Sequence, residues 1–445
     1  MTMGLIFERW RVERLGIIGF GVTGRATVEF SLGRGVTPIV SEARSLTPSE
    51  RGWLAERGVR FEERGHTPSF LADADVLVLS PGVPPGILPL DEARKSGVPV
   101  VSEIDLAGSL IDPPIVAVTG TNGKSTVATL IGAILESAGK DVVVAGNIGI
   151  PAISIVDEVS SADAVVLEVS SYQLEQSLHF HPQVAILLNL APDHLSRHGT
   201  MDAYAAAKGR IFRRQTPADA AILPSDLAPA FDRGEGRRIF FDRERFTLPP
   251  YLESLPPHNR ENLRAAISAA RALLPDLDPA SIPEDAVRSA VSLPHRLEVI
   301  GEVDGVRVID DSKSTNPAAA IAALRAVDGP VVLLIGGRSK GAGYDALARE
   351  VKAHRVRRVV AYGEAADELS SIFSRAGVEI DRAADLERGI SIGVYAARPG
   401  DTLLFSPACS SFDRFRDFAE RGDVFTRYVE GLPGFSRMAG EGNPG

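Results

Sequence analysis

The chain has 445 residues, 44% of them hydrophobic and 24% charged, with a formal net charge of −10. At about 150 residues per domain this length suggests roughly three domains, and the ordinary balance of apolar and charged residues excludes a disordered, collagen-like or polytopic membrane chain. The acidic balance argues against a nonspecific grip on nucleic acid, and Cys409, the only cysteine, leaves no intrachain disulfide and no cysteine zinc site, which suits a reducing compartment.

From the N-terminus, charges of both signs between Glu8 and Arg14 interrupt any apolar run, so no secretory signal is read. No stretch reaches the ~18–20 apolar residues of a spanning helix, so a cytoplasmic protein away from the membrane is expected. The first apolar run, Leu15–Gly19, leads into Gly19-Phe-Gly21-Val22-Thr23-Gly24, and Glu42 follows the next strand. This G-x-G-x-x-G spacing lets a diphosphate-like anion approach a helix start. On pattern alone it supports an NAD-dependent oxidoreductase, but a lone motif of this kind is a weak signal. The strand Val76–Leu79 ends in Ser80-Pro81-Gly82-Val83-Pro84-Pro85, and the punctuation continues to Val98-Pro99, so a domain boundary is set near residue 98.

The strongest signal comes next. An apolar strand, Ile115–Val118, runs into Gly120-Thr121-Asn122-Gly123-Lys124-Ser125-Thr126 and then a helix-forming segment, Val127–Ala138. Glycines let backbone N–H groups close around phosphate oxygens, Lys124 neutralises β- and γ-phosphates, and the hydroxyl of Ser125 or Thr126 can ligate Mg²⁺. The eight-residue P-loop pattern wants glycine where Val118 stands, so the loop is a variant. Two further strands end in polar residues: Ala164–Val169 carries Glu168 and leads to Ser170 and Gln173, and Val184–Leu190 carries Asn189 and leads to Asp193-His194. Ligands of open parallel sheets bind beyond the carboxyl ends of strands. If both strands flank the loop strand, Glu168 and His194 face the same place as Lys124, a composition suited to magnesium and phosphate. Lys208 lies in a helix-forming segment and by composition alone is a solvated lysine.

A second boundary is set at Ser292-Leu293-Pro294-His295-Arg296. Beyond it the runs Val306–Ile309, Val331–Ile335, Val359–Tyr362 and Thr402–Phe405 end in polar groups, among them Asp311, Lys313 and Lys340. Continuous apolar strands alternating with helical segments require parallel sheets covered on both faces. The expected architecture is α/β with three sheets, in domains 1–98, 99–292 and 293–445. Cys409, in a turn of small residues with no histidine partner in its motif, is read as packing, and the Gly-rich tail from Met438 as loose.

These motifs together resemble the Mur ligase family, the ATP-dependent amide ligases of peptidoglycan synthesis, and the related folylpolyglutamate synthetases. The resemblance runs through the phosphate loop, Asn147-Ile148-Gly149, Glu168–Gln173, Asn189–His194, the Lys208 helix, His258-Asn259 with Asn262, and Leu293–Arg296. It continues through Asp310–Asn316 and Ser406–Asp413 with Phe418 and Arg421-Gly422-Asp423. It implies an N-terminal Rossmann-like domain, a central P-loop ATPase-like parallel sheet and a C-terminal Rossmann-like domain. The last two motifs resemble the branch of the family that adds D-glutamate to UDP-N-acetylmuramoyl-L-alanine through an acyl phosphate.

The resemblance also implies roles. Lys124, His194 and Lys208 would be catalytic. ATP would be held by Gly120, Thr121, Asn122, Gly123, Lys124, Ser125, Thr126, Asn259, Asn262, Arg296, Asp311 and Lys313. Two Mg²⁺ ions would be held by Ser125, Glu168, His194 and Lys208, the last N-carboxylated by CO₂ to a carbamate. The UDP-substrate would contact Gly21, Val22, Thr23, Arg44, Ser80, Pro81, Gly82, Asn147, Ser170 and Gln173. D-Glutamate would meet His194, Thr315, Lys340, Ser411, Phe412 and Phe418. A monomer is expected. Another amide ligase of the same family, the oxidoreductase and a nucleotide-binding scaffold stay open as alternatives at this point.

Overall fold

The computed structural model describes residues 5–7, 10–231, 234–246, 251, 255–341 and 343–437; the tail from Met438 lies outside them. The chain forms two compact units, one of Met1–Leu190 with Asp202–Ala290, the other of Ala191–Met201 with Val291–Gly445.

The first unit holds two fully parallel sheets. In one, the strands Arg60–Glu62, Thr37–Ser41, Arg14–Ile18, Val76–Leu79 and Val100–Ser102 lie side by side in that order. This sheet runs to Ser102, past the boundary expected near residue 98. In the other, the order is Arg237–Phe240, Ala220–Leu223, Val184–Leu187, Ile115–Thr119, Ala164–Glu168 and Val142–Gly146. The strands are short and apolar because helices cover both faces: the adjacent Val165 and Val166 point to opposite faces and both are wholly enclosed. Each such side chain contributes ~1.5–3 kcal/mol by leaving water.

One continuous apolar cluster spans both sheets of this unit, from Val40 and Val78 through Ile104 and Ile115 to Leu187 and Leu223. The helix Glu103–Gly108 helps join them. Its cap, Ser102, forms a reciprocal pair with Asp105, and buried Asp105 also accepts from Ser177 Oγ at 2.8 Å and Phe180 N at 2.8 Å. That shared core is why two sequence domains form one unit.

The second unit has a seven-stranded sheet in the order Ile380–Arg382, Val356–Tyr362, Val331–Gly336, Thr402–Ala408, Val306–Asp310, Glu298–Val303 and Phe435–Ser436. It is parallel except at Glu298–Val303, which runs antiparallel to both neighbours. A two-stranded antiparallel hairpin, Leu5–Phe7 with Trp10–Val12, adds a small fourth sheet to the three expected. The run Val184–Leu190 is strand only to Leu187, because Thr121 N then takes the Asn189 carbonyl at 3.1 Å and the chain turns along the phosphate loop. Among the described residues no helix is long and apolar enough to cross a membrane.

Candidate active site

The phosphate loop follows Ile115–Thr119, one of the two central strands of the six-stranded sheet, between the strand that ends at Glu168 and the strand that leads to Asn189. Gly120 and Gly123 carry φ of 158° and 84°, and Gly123 caps the helix Lys124–Ser137 from the left-handed region. A Cβ on Gly123 would stand 2.5 Å from Asn262 Oδ1, so glycine is needed both for conformation and for that approach. The loop is braced from its neighbour: Asn122 N donates to Asn189 Oδ1 at 2.9 Å, and Asn189 Nδ2 returns to Asn122 O at 3.1 Å. Asn262 and Asn259, one turn apart on the helix Pro257–Leu273, bond to each other at 3.2 Å beneath it.

Two lysines meet at one atom. Lys124 Nζ donates to the carbonyls of Gly120 at 3.0 Å and Thr121 at 2.9 Å. Lys208 Nζ donates to the same Gly120 oxygen at 2.7 Å and to Thr119 Oγ1 at 3.3 Å. Lys208 is only 1% exposed, so the solvated-lysine reading fails. Its ammonium lies 4.8 Å from the ring centre of Tyr204, whose hydroxyl is 3.1 Å from Thr121 Oγ1. Tyr204 was missed in the sequence, although its spacing of four residues from Lys208 on one helix was visible there.

Glu168 closes its strand at 3% exposure. Asn147 Nδ2 donates to Glu168 Oε1 at 2.7 Å, while Glu168 Oε2 and the buried Thr126 Oγ1 have no hydrogen-bond partner among the described residues. Orphaned buried oxygens of this kind fit a hard divalent cation. Next to Glu168, Ser170 and Gln173 form a capping box at the helix Ser171–Glu175, with Ser170 Oγ donating to Gln173 Oε1 at 2.9 Å.

The N-terminal glycine motif is a tight strand-to-helix turn. Gly19 has φ 91°, and a Cβ on Gly24 would sit 2.0 Å from the Gly19 carbonyl. Gly21, Val22 and Thr23 open the helix Val22–Gly33, and Val22 is exposed. Ser80 Oγ donates to the Gly19 carbonyl at 3.0 Å, which sets Ser80, Pro81 and Gly82 beside the turn. Glu42, the acid that an NAD site would turn to a ribose, accepts instead from the main-chain nitrogens of Phe20 at 2.6 Å and Arg44 at 3.0 Å. Arg44 pairs with Glu50 at 2.6 Å, and the guanidinium holds that carboxyl down at about 2.

In the second unit, His194 has φ 54° and its Nε2 is 3.6 Å from Asp193 Oδ2. Asp193 is named in the sequence motif beside His194 but is given no role there. It is buried, 3.3 Å from Lys340 Nζ and 3.2 Å from Asn316 Nδ2. Lys340 Nζ also donates to Thr315 Oγ1 at 3.2 Å. Asp311 accepts from Ser406 Oγ at 2.7 Å and from Leu297 N at 3.3 Å; burial pushes its carboxyl up to about 6 against these bonds and the nearby Arg296 charge. Lys313 Nζ lies 5.2 Å from the Phe418 ring. Ser411 is buried, whereas Phe412 is 62% exposed. Cys409 is enclosed with its thiol 3.1 Å from the Tyr344 hydroxyl, and burial pushes it up to about 12, so it packs and does not react.

Known proteins supply the remaining identification. The family model for the Mur ligase MurD-like N-terminal domain matches residues 13–102, that for the Mur ligase middle domain 118–235, and that for the Mur ligase glutamate ligase domain 295–409. The UDP-N-acetylmuramoylalanine--D-glutamate ligase of Pelotomaculum thermopropionicum is 39% identical over 94% of this chain and 98% of its own. The protein of the same name from Acidobacterium capsulatum is 38% identical over 94% of this chain and 96% of its own. Among solved structures, UDP-N-acetylmuramate-alanine ligase MurC from Thermotoga maritima shares the fold, with a TM-score of 0.56 at 18% identity over 93% of this chain and 98% of its own. Ligase relatives along nearly the whole chain overturn the oxidoreductase reading of the N-terminal glycines. With its three domain matches in sequence order, this chain belongs to the Mur ligase family.

Proposed function

We propose that the chain joins D-glutamate to UDP-N-acetylmuramoyl-L-alanine at the expense of ATP, the reaction for which its relatives are named. The observation that carries this reading is the pair of lysines, Lys124 and Lys208, converging on the Gly120 carbonyl of a glycine-rich loop. The work is divided among the N-terminal, central and C-terminal domains. Gly21, Val22, Thr23, Arg44 and Ser80–Gly82 take the UDP end of the sugar substrate, and Asn147, Ser170 and Gln173 line the way to its alanyl carboxylate.

A carboxylate is a poor electrophile, so one of its oxygens first attacks the γ-phosphorus of ATP, and the bond to the β-bridging oxygen breaks to release ADP. The amine of D-glutamate then attacks the acyl carbon of the resulting acyl phosphate. The tetrahedral intermediate expels phosphate with the C–O electron pair, the nitrogen gives up a proton, and an amide remains. Lys124 and the loop N–H groups offset charge on the transferring phosphoryl group. Gly120–Thr126, Asn259, Asn262, Arg296, Asp311 and Lys313 hold the nucleotide. Lys340, Thr315, Ser411, Phe412 and Phe418 receive the amino acid, whose carboxylates need charge-assisted donors. His194, beside Asp193, belongs to the same pocket in this reading.

Two Mg²⁺ ions, held by Ser125, Glu168, His194 and a carbamate on Lys208, would supply further charge neutralisation on the phosphates. The orphaned Glu168 Oε2 supports this. N-carboxylation leaves Lys208 one N–H, enough for one of its two present acceptors. The cytoplasm, where nucleotide-linked precursors and ATP are available, is the proposed location, and a monomer the proposed form.

The deciding experiment is phosphate release with all three substrates, with D-glutamate omitted, and with L-glutamate or lysine in its place. Release that requires both the UDP-sugar and D-glutamate is expected. Release supported by folate substrates instead would transfer the chain to the other branch of the family.

A further inference from the structure

One motif, Arg421-Gly422-Asp423, has no part in the scheme above, yet Arg421 is the largest wholly enclosed side chain among the described residues. Its guanidinium is a fork between two stretches of chain. Nε donates to Ser312 Oγ at 3.0 Å, Nη2 to the Ser312 carbonyl at 2.7 Å and Nη1 to the Cys409 carbonyl at 3.0 Å. All three acceptors are neutral oxygens. A buried cation is costly, and an apolar side chain would fill the same volume more cheaply, so the directional bonds are what this position supplies.

Those bonds fall between the two substrate segments of this unit. Ser312 separates Asp311 from Lys313, and its hydroxyl donates to the Phe418 carbonyl at 2.7 Å. Cys409 leads directly to Ser410 and Ser411, and Ser410 is paired to Arg338 through N–H to carbonyl bonds of 2.9 and 3.0 Å. The rest of the motif fixes the same loop from its other side. A Cβ on Gly422 would come within 2.2 Å of His295 Nδ1, so glycine lets the His295 ring lie against the helix Phe418–Glu430. That ring bridges Asp310, 2.7 Å from Nδ1, and Asp423, 3.5 Å from Nε2.

We propose that Arg421 is a positioning residue that, through Ser312, couples the nucleotide segment Asp311–Lys313 to the amino-acid pocket at Ser411 and Phe418. This deepens the ligase reading and rests on it. The coupling predicts that loosening the fork weakens both substrates together. A residue that only stabilises the fold would lower the melting midpoint and the active fraction, hence kcat, with KM unchanged.

The test uses the full-length enzyme with Arg421→Lys, Ser312→Ala and the double substitution, measuring kcat, the KM for ATP, the KM for D-glutamate and the melting midpoint. Each single variant is expected to raise both KM values about tenfold, the scale of losing a hydrogen bond to a charged group. The double variant is expected to match the worse single variant within about threefold, because both substitutions act on one contact. If Arg421→Lys does not melt cooperatively, Ser312→Ala, the smaller change, decides alone. A folded variant with either KM raised by less than about fivefold overturns the proposal, as does multiplication of the two single effects. If the unaltered enzyme releases no phosphate in response to D-glutamate, it is the ligase reading that falls.

Discussion

Replacing Glu103 with glutamine should make this protein more stable, and increasingly so as pH rises. Glu103 is 1% exposed at the start of the helix Glu103–Gly108. One carboxylate oxygen accepts from Ile153 N at 2.7 Å, and the other has no hydrogen-bond partner among the described residues. Burial pushes the carboxyl up to about 7 from 4.5, against the pull of bonds from Ile153, Gln173 and Ala152. The folded chain therefore keeps a proton that the unfolded chain has released, and stability falls as pH climbs between those two values and levels off above them. At about 1.4 kcal/mol per pH unit the full cost is about 3 kcal/mol. Between pH 5 and pH 8 it grows by about 2.5 kcal/mol, since part is already present at pH 5. A glutamine places its carbonyl toward Ile153 N and its amide where the orphaned oxygen stood, and carries no charge. Urea unfolding of both proteins, followed by the fluorescence of Trp10 and Trp53 in the same unit, gives the stability difference at each pH, and groups that titrate alike in both cancel. A difference that stays flat from pH 5 to pH 8 would refute the reasoning.

Other consequences are as direct. Gly123→Ala forces a side chain into φ 84° and against Asn262; it should cost at least ~1–2 kcal/mol from handedness alone and abolish the thermal protection that ATP gives, and undiminished protection would contradict the loop geometry. Lys208→Ala should lose most turnover, with partial recovery in added short-chain carboxylic acids if a carbamate is the working form; unchanged activity ends the carbamate reading. Cys409, enclosed and held at about 12 by burial, should resist thiol reagents at pH 8 in the folded protein and react only after denaturation, as counted by mass spectrometry.

Much of this protein was legible before any coordinates. Apolar strands such as Ile115–Val118 and Val331–Ile335 stood out because a sheet covered on both faces leaves no polar position inside it. The phosphate loop was legible for a related reason: closing backbone around an anion requires glycines at fixed places, so the chemistry is written in consecutive residues. Strands with mixed patterns were harder. Glu298–Val303, antiparallel and only partly buried, carries charge at Glu298 and Glu302 and does not read as a core strand.

What tertiary structure decided are the pairings between residues distant in sequence. Composition made Lys208 a solvated lysine until the fold enclosed it on the Gly120 carbonyl. Asp193 looked incidental until Lys340 and Asn316 closed on it. Arg421 stood in the sequence only as part of the motif Arg421-Gly422-Asp423, and packing turned it into a fork joining Ser312 to Cys409. Local order follows from the period and backbone preference of neighbouring residues, which any window of sequence displays. The partner of a buried charge depends on which segments the core brings together, and no local window holds that information.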